Sequence, residues 1–493
     1  MILSFDKIYV TYMSLTKRYF QILVSLLAVI AAIFIGYTLF YNLGNAPLEN
    51  WDEAWYAAST REMIATQSFA VMHWNQAVWL DKPPMYMWFT GFFSLFFGIT
   101  EFSARLTSAL SGLIILAIIT RYSYKNYGIV PALFTCGTLM VNNLFVWRAR
   151  SGNIDLLLSL EILITYLLMI SKHRYKYPLL GLTLAFIYLT KASVVILPLL
   201  LFIASEFLYE RKRLAHNAFE YVKLFVIFIG ISSIWLISGY LSVGKDFIIY
   251  YLLKADQGQA GVVGFSSRYF YHIYYSLNRR FTWVLLLGII FALKKIKSKE
   301  YFLLIFFACL LPIQLSFSAR DNNWYLLPAF PFISILIGYG VYQILQFFKN
   351  TMIQIAVSTV ITAAALFLFY RAYTINIFPI INSSGPVLQA ESSKKIQTFT
   401  KKDDVIVRLD HLYPTTIYYS DRKVLASPID NNKDDSHWIS RTTLERRLQE
   451  RSITWLIGTN KDIDEITKQF PTLNFSVIPV NAEESILRVT NDI

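Results

Sequence analysis

The sequence predicts a mainly α, polytopic membrane protein with a small C-terminal α/β soluble domain. About 11 transmembrane helices plus interfacial helices are expected. Three observations predict this class. Of 493 residues, 55% are hydrophobic and 16% charged, against about 45–50% and about 25% in ordinary soluble domains. The apolar residues gather in runs long enough to cross a bilayer core of about 30 Å as helices. After residue 371 the composition turns polar, rich in Asp, Lys, Ser, Thr and Asn. An ordinary cytosolic enzyme, a disordered chain and a disulfide scaffold are excluded, since the two cysteines, Cys136 and Cys309, both lie inside apolar runs.

The first span is read at 20–40, too long for a signal-peptide core. Further spans are expected at 104–122, 128–147, 154–171, 177–192, 194–209, 221–242, 281–293, 301–317, 324–348 and 351–371. The basic clusters Arg121/Lys125, Lys172/Arg174/Lys176, Arg211/Lys212/Arg213, Lys294/Lys295/Lys297/Lys299 and Lys349 fall in every second connection, on the side of Lys17/Arg18. Cytoplasmic connections carry such an excess, so the N-terminus is expected in the cytoplasm and the C-terminal domain in the periplasm or outside the cell. The same pattern explains the net charge of +13. No basic stripe lies on a soluble segment, so nucleic acid is not an expected partner. Residues 83–99 begin with two prolines and number 17. A span there would invert every later orientation, so they read as an interfacial helix.

Two outer loops are long, 41–103 and 243–280. In residues 372–493, β-like runs occur at 404–409, 415–419, 454–459 and 484–489, and a Ser-capped helix at 440–452. His411, in RLDHLYP, is expected to be a surface or core histidine rather than a base.

Charged residues at membrane depth are costly and mark function. Asp52 and Glu53 open a helical segment of the first loop whose Trp55, Ala58 and Met63 have amphipathic spacing. Asp52 reads either as a cap of that helix or as a carboxylate beside a reaction centre. Asp81-Lys82-Pro83-Pro84 holds Lys82 at a rigid corner, where an ammonium suits a lipid phosphate. Asp155 opens a span after Arg148 and Arg150, and Glu161 lies deeper as a bundle-interior candidate. Lys191 ends another span. The turn 317–328 supplies Arg320, Asp321 and Tyr325, and the second long loop supplies Lys254, Asp256, Arg268, His272, Arg279 and Arg280. One face thus gathers carboxylates, cations and aromatics, which suits an anionic amphipathic substrate such as a lipid-linked sugar.

Four stretches carry a family resemblance over residues 20–350: WDEAWYAASTREMI, LDKPPMYMWFTGFFSLFFGITEFSARLTSAL, GLTLAFIYLTKA and FSARDNNWYLLPAFP. In this order they resemble the membrane glycosyltransferases of the GT-C fold, on the branch of the lipid A aminoarabinose transferases and protein O-mannosyltransferases. The resemblance implies inverting transfer of a sugar from a polyprenyl-phosphate carrier to an acceptor hydroxyl at the outer face of the plasma (inner) membrane. The acceptor, whether lipid, protein or glycan, is unknown. Asp52 and Asp155 match the family's acids, either of which could be the general base. Lys82, Lys191 and Tyr325 match positions around the carrier phosphate, with Glu53, Arg320 and Arg268 as further substrate-binding candidates. Some relatives use a divalent metal, for which Asp81 is the candidate ligand; no other cofactor is implied. The chain departs from the family with Trp55 where an Arg often stands, Ala192 for a Gly, and no His-x-x-Arg element in KADQGQAG at 254–261. The competing readings are a transporter or flippase of lipid-linked sugars, built on the same charged cavity, and a non-catalytic assembly subunit.

Overall fold

The computed structural model describes residues 26, 28–254, 264–383, 387–431 and 433–490. The KADQGQAG segment and the start of the first predicted span fall mostly outside them. The membrane part is a helical bundle, with a helix at each of the eleven predicted positions, from Ala28–Phe40 to Thr351–Ala372. Among the described residues, five helices are long and apolar enough to cross a bilayer, or up to seven if each of two bent pairs is one span. One such pair, Ile129–Met140 and Asn143–Ala149, turns through 68°. The chain is thus a multi-pass membrane protein. Its centre is Asn323–Phe347, with 89% of its apolar window buried; Thr351–Asn382, at 11%, faces outward.

The central helix packs closely on Phe281–Lys294 because glycines meet there. A Cβ built on Gly288 would come within 2.0 Å of the Leu336 carbonyl oxygen, and one on Gly340 within 2.6 Å of that of Val284. Small residues at such crossings let backbones approach where lipid supplies no hydrophobic drive.

The first long loop folds into three pieces: a helix Asp52–Thr66, a short hairpin (His73–Trp74 with Ala77–Val78), and the helix Met85–Phe97 in the predicted interfacial segment. The next helix, Glu101–Tyr127, starts from a reciprocal Thr100–Ser103 capping box. The expected amphipathic stripe on Asp52–Thr66 is not what the structure shows. The helix is buried round most of its circumference, because Met85–Phe97 covers one side and a C-terminal helix another.

The C-terminal part is an α/β unit around a five-stranded sheet. Its strand order is Lys423–Ala426, Val405–Arg408, Trp455–Thr459, Glu484–Val489, Phe475–Pro479. The first three strands run parallel and the last two are antiparallel. The strands expected near 404–409, 454–459 and 484–489 form, as does the helix Arg441–Gln449, capped by Ser440. The expected strand at 415–419 is instead the helix Pro414–Ser420. Proline at its first turn favours a helical start, and all seven residues are buried, so packing overrides their β propensity.

This unit is fastened to the first long loop. Asn75, at the hairpin tip, donates to the Val424 carbonyl at 2.7 Å and accepts from the Val424 N–H at 2.9 Å. Lys423 Nζ donates to the Asn75 carbonyl at 2.6 Å. Arg61 pairs with Asp421 at 3.1 Å and donates to the carbonyls of Tyr418 and Ile417. Tyr418, Tyr419, Val424 and Ala426 belong to the same apolar core as the bundle.

Candidate active site

Asp52 stands in the first turn of its helix and does not cap it: the cap position is Trp51, which makes no side-chain capping bond. Its Oδ2 instead accepts from Arg148 Nη2 at 3.0 Å. Arg148 also forks onto Asp155 Oδ2, from Nη2 and from Nε at 3.1 Å. One guanidinium therefore holds both predicted acids. The two differ in access: the Asp52 side chain is 37% exposed, Asp155 6% and Arg148 5%.

Local sequence explains how Arg148 and Asp155 meet seven residues apart. Asn153 donates to the carbonyls of Arg148 and Ser151 at 2.6 and 2.7 Å, and its Oδ1 accepts from the Asp155 N–H at 3.0 Å. Ser108 of the neighbouring helix donates to the Asn153 carbonyl at 2.9 Å. The turn is thus a buried, satisfied network. Arg148 was visible in the sequence beside Asp155, but its bridge to Asp52, 96 residues away, is tertiary. Trp147 and Trp324 flank its guanidinium at 5.3 and 5.2 Å, a favourable cation–π placement.

Glu53 lies apart from this pair, 2% exposed. Its Oε1 accepts from Arg105 Nε and the Gly152 N–H, both at 2.7 Å; its Oε2 accepts from Arg105 Nη2 at 2.9 Å and the Glu49 N–H at 2.7 Å. Gly152 permits this approach, since a Cβ there would sit 2.9 Å from the Ala104 carbonyl oxygen. Arg105 further binds the carbonyls of Leu43, Ala46 and Pro47. Glu53 is thus buried, and both its oxygens accept from groups of the chain itself.

Trp324 leads to a second cluster. Its ring lies 6.2 Å from that of Tyr325. Lys191 Nζ sits 4.1 Å over the Tyr325 ring, and Arg320 Nη1 donates to the Tyr325 hydroxyl at 3.1 Å. Arg268 and His272 approach Asp321 at 3.6 and 3.2 Å, and Tyr269 donates to the Arg320 carbonyl at 2.9 Å. Four of the predicted binding residues thus share one neighbourhood. The helix C-terminus at Lys191, the turn before the central helix and the short helix Arg268–Ser276 supply them.

Lys82 pairs with Asp81 at 2.7 Å, and its carbonyl accepts from Tyr251 at 3.1 Å. Tyr251 packs on Trp235, which packs on Tyr188, one turn before Lys191. Tyr56 is buried on the helix that carries Asp52. Burial pushes its phenol well above the ordinary value, and the carboxylates of Asp52, Asp81 and Asp155 add to the shift. Among the described residues no three His, Cys, Asp or Glu side chains converge as a metal site. Asp81 has an ammonium beside it instead of further ligands, a poor donor set for a divalent ion. His73 and His411 lie outside the acid pair and its cations; His411 is exposed. Asp256 and the side chain of Lys254 lie outside the described residues.

Residues 81–236 match the family described as dolichyl-phosphate-mannose-protein mannosyltransferase. An uncharacterised protein of Aquifex aeolicus is 29% identical over 313 residues, 61% of this chain and 70% of that protein. An undecaprenyl phosphate-alpha-4-amino-4-deoxy-L-arabinose arabinosyl transferase of Shewanella sediminis is 28% identical over 137 residues, 27% of this chain and 25% of that protein. Among solved structures, ArnT from Cupriavidus metallidurans in the apo state superposes with a TM-score of 0.76 at 15% identity, covering 94% of this chain and 98% of that one. The oligosaccharyltransferase AglB of Archaeoglobus fulgidus, in complex with an inhibitory peptide and a dolichol-phosphate, reaches 0.56 at 11% identity, covering 88% and 69%. The family match contains two of the four motifs, those beginning at Leu80-Asp81 and at Gly181, and the likeness to the solved structures establishes the fold: the chain has the GT-C fold of ArnT.

Proposed function

We propose that the protein transfers a sugar from a polyprenyl-phosphate carrier to an acceptor hydroxyl at the outer membrane face, with inversion, and that Asp52 is the general base. The observation that carries this reading is the Asp52–Arg148–Asp155 bridge, joined through Trp324 to the cations around Tyr325. An ArnT structure of the same fold is bound to undecaprenyl phosphate, which supports a carrier of that class. In this topology eleven spans leave the N-terminus in the cytoplasm and the C-terminal domain outside, and Met85–Phe97 lies in the interface.

The step is a single displacement. The acceptor oxygen attacks the anomeric carbon as its proton passes to Asp52. The bond from that carbon to the phosphate oxygen breaks, and the polyprenyl phosphate leaves with the electron pair. Asp52 suits the base better than Asp155 because it is the accessible partner and, among the described residues, accepts one bond from Arg148 where Asp155 accepts two. Asp155 holds Arg148, and Arg148 fixes Asp52. Lys191, Arg320 and Lys82 stabilise the charge that builds on the leaving phosphate, and Tyr325 orients Lys191 and Arg320. No step requires a metal.

The test is sugar transfer in purified membranes from a panel of polyprenyl-phosphate sugars. Asp52→Asn is expected to lower the rate by about 10²–10⁴ with donor binding retained, the range for losing a general base. Lys82→Ala is expected to weaken donor use. If no donor is turned over, yet labelled lipid-linked sugar crosses the bilayer equally in wild type and Asp52→Asn, the protein is a transporter and the proposal fails.

A further inference from the structure

We propose that the polar cavity beside Trp147 is a carbohydrate-binding subsite, which takes a neutral or singly charged sugar ring. The cavity measures about 490 Å³, within the usual span of about 300–1,000 Å³ for small-ligand sites. Its lining is rich in amides: Asn143, Asn278, Asn323 and Asn376 all reach it. Each amide offers one acceptor and two donors, the pattern that pairs of neighbouring sugar hydroxyls satisfy. Trp147 supplies an aromatic ring for the apolar C–H side of a sugar, and Tyr275, with Arg279 over its ring, adds to the lining. Arg279 and His272 are the ionisable cations of the lining, and no carboxylate belongs to it. A multiply phosphorylated ligand would want more cations, and a fatty chain would want fewer amides.

The wall is built rather than accidental. Asn278 and Arg279 are consecutive left-handed residues, with φ of 51° and 60°. Such backbone costs about 1–3 kcal/mol per residue and persists where surrounding structure enforces it, often at ligand clamps. The Asn376 amide donates to Asn278 Oδ1 at 2.9 Å, and the Arg279 N–H donates to the Tyr274 carbonyl at 2.9 Å. Arg279 lies 4.6 Å over the Tyr275 ring.

The place fits the chemistry. Trp147 is both a wall of the cavity and a ring against Arg148. Asn323 adjoins Trp324, the other ring against Arg148. His272, on the far wall, is paired with Asp321 in the cation cluster. A sugar in this cavity stands between the acid pair and the proposed phosphate-binding residues. That purpose rests on the transfer reading; the binding itself does not. The sugar has two sources, the donor's glycosyl group or the acceptor.

The experiment uses the full chain in lipid nanodiscs and saturation-transfer NMR with a panel of methyl glycosides: hexopyranosides, pentopyranosides and an aminopentoside. At least one glycoside is expected to receive saturation. Asn143→Leu and Asn376→Leu should each weaken binding by about fivefold to tenfold, the effect of one lost hydrogen bond. The exposed Arg279→Gln gives a third variant whose folding is not at stake. Asp52→Asn should keep the glycoside signal while losing transfer, so failure of the subsite and failure of the enzyme reading are told apart. Displacement of the glycoside by an added polyprenyl-phosphate sugar assigns the cavity to the donor, and joint binding assigns it to the acceptor. Absence of signal from every glycoside, or a signal unchanged in all three cavity variants, overturns the proposal.

Discussion

Arg148 sets the distance between two carboxylates that would otherwise repel. Its Nη2 donates to both carboxylates, and its Nε gives the buried Asp155 a second bond. Arg148→Ala removes the partner of a buried charge, which costs about 3–5 kcal/mol. We expect a large fall in melting temperature together with loss of transfer. Arg148→Lys keeps the charge and loses the fork, so activity should fall more than stability. Glu53 makes the opposite case. Glu53→Gln is expected to lower the melting temperature through the unbalanced Arg105, while KM for the donor stays constant in the protein that remains folded. A raised KM with unchanged melting would instead put Glu53 in the substrate site. At this scale the acids and cations were legible because charge is costly in apolar surroundings. The division of labour between Asp52 and Glu53 was not, since adjacent positions on a helix point to different neighbours and only the fold supplies those neighbours.

The helices of the bundle could be read from the chain because about twenty apolar residues have few other fates. The contacts between them could not. Nothing in LLLGIIFALK says that Gly288 faces a backbone carbonyl, yet the helix pair depends on it. Gly288→Ala is expected to destabilise by about 1–3 kcal/mol, the cost of overpacking a close contact. Thermal unfolding in detergent checks this, with Gly230→Ala as control, since a Cβ there meets nothing within 4 Å. The hairpin at Asn75 was equally hidden. Its strands are two residues each, and its tip uses Asn75 and Gln76 at positive φ in place of the Asn-Gly pair that advertises such turns.

Across the whole molecule, the C-terminal domain is a structural partner of the first long loop. The change of composition after residue 371 was read as a boundary, though the apolar helical segment runs on to Asn382; three of the expected strands form beyond it. That the domain grips the loop bearing Asp52 was not legible, because the contacts are single residues far apart in sequence. A chain ending at residue 371 is therefore expected to lose both transfer activity and thermal stability; full activity in the truncated protein would refute a supporting role. The junction also responds to pH. His437 meets Asn75 at 3.1 Å and the Trp74 ring edge-on at 5.1 Å, with Lys423 and Asp435 as its charged neighbours. Burial, and then the Lys423 ammonium, hold its imidazole below the ordinary value near about 6.5. The unfolded chain then takes up the proton more readily than the folded one. The stabilisation is full above about pH 6.5 and is lost as pH falls through the depressed folded value. Melting temperatures between about pH 7.5 and about pH 5 should decline in wild type more than in His437→Gln.

The clasp between Asn75 and Val424 joins residues 349 apart in the chain. At a synthesis rate of roughly 5–20 residues per second, the hairpin waits tens of seconds after its own translation for the strand that secures it. The loop with Asp52 is made before the strand that clasps it, and the helices of the bundle are made in between. A nascent chain therefore holds its acid on an unsecured loop. The order of synthesis leaves the loop bearing Asp52 unclasped until the strand Lys423–Ala426 has been made.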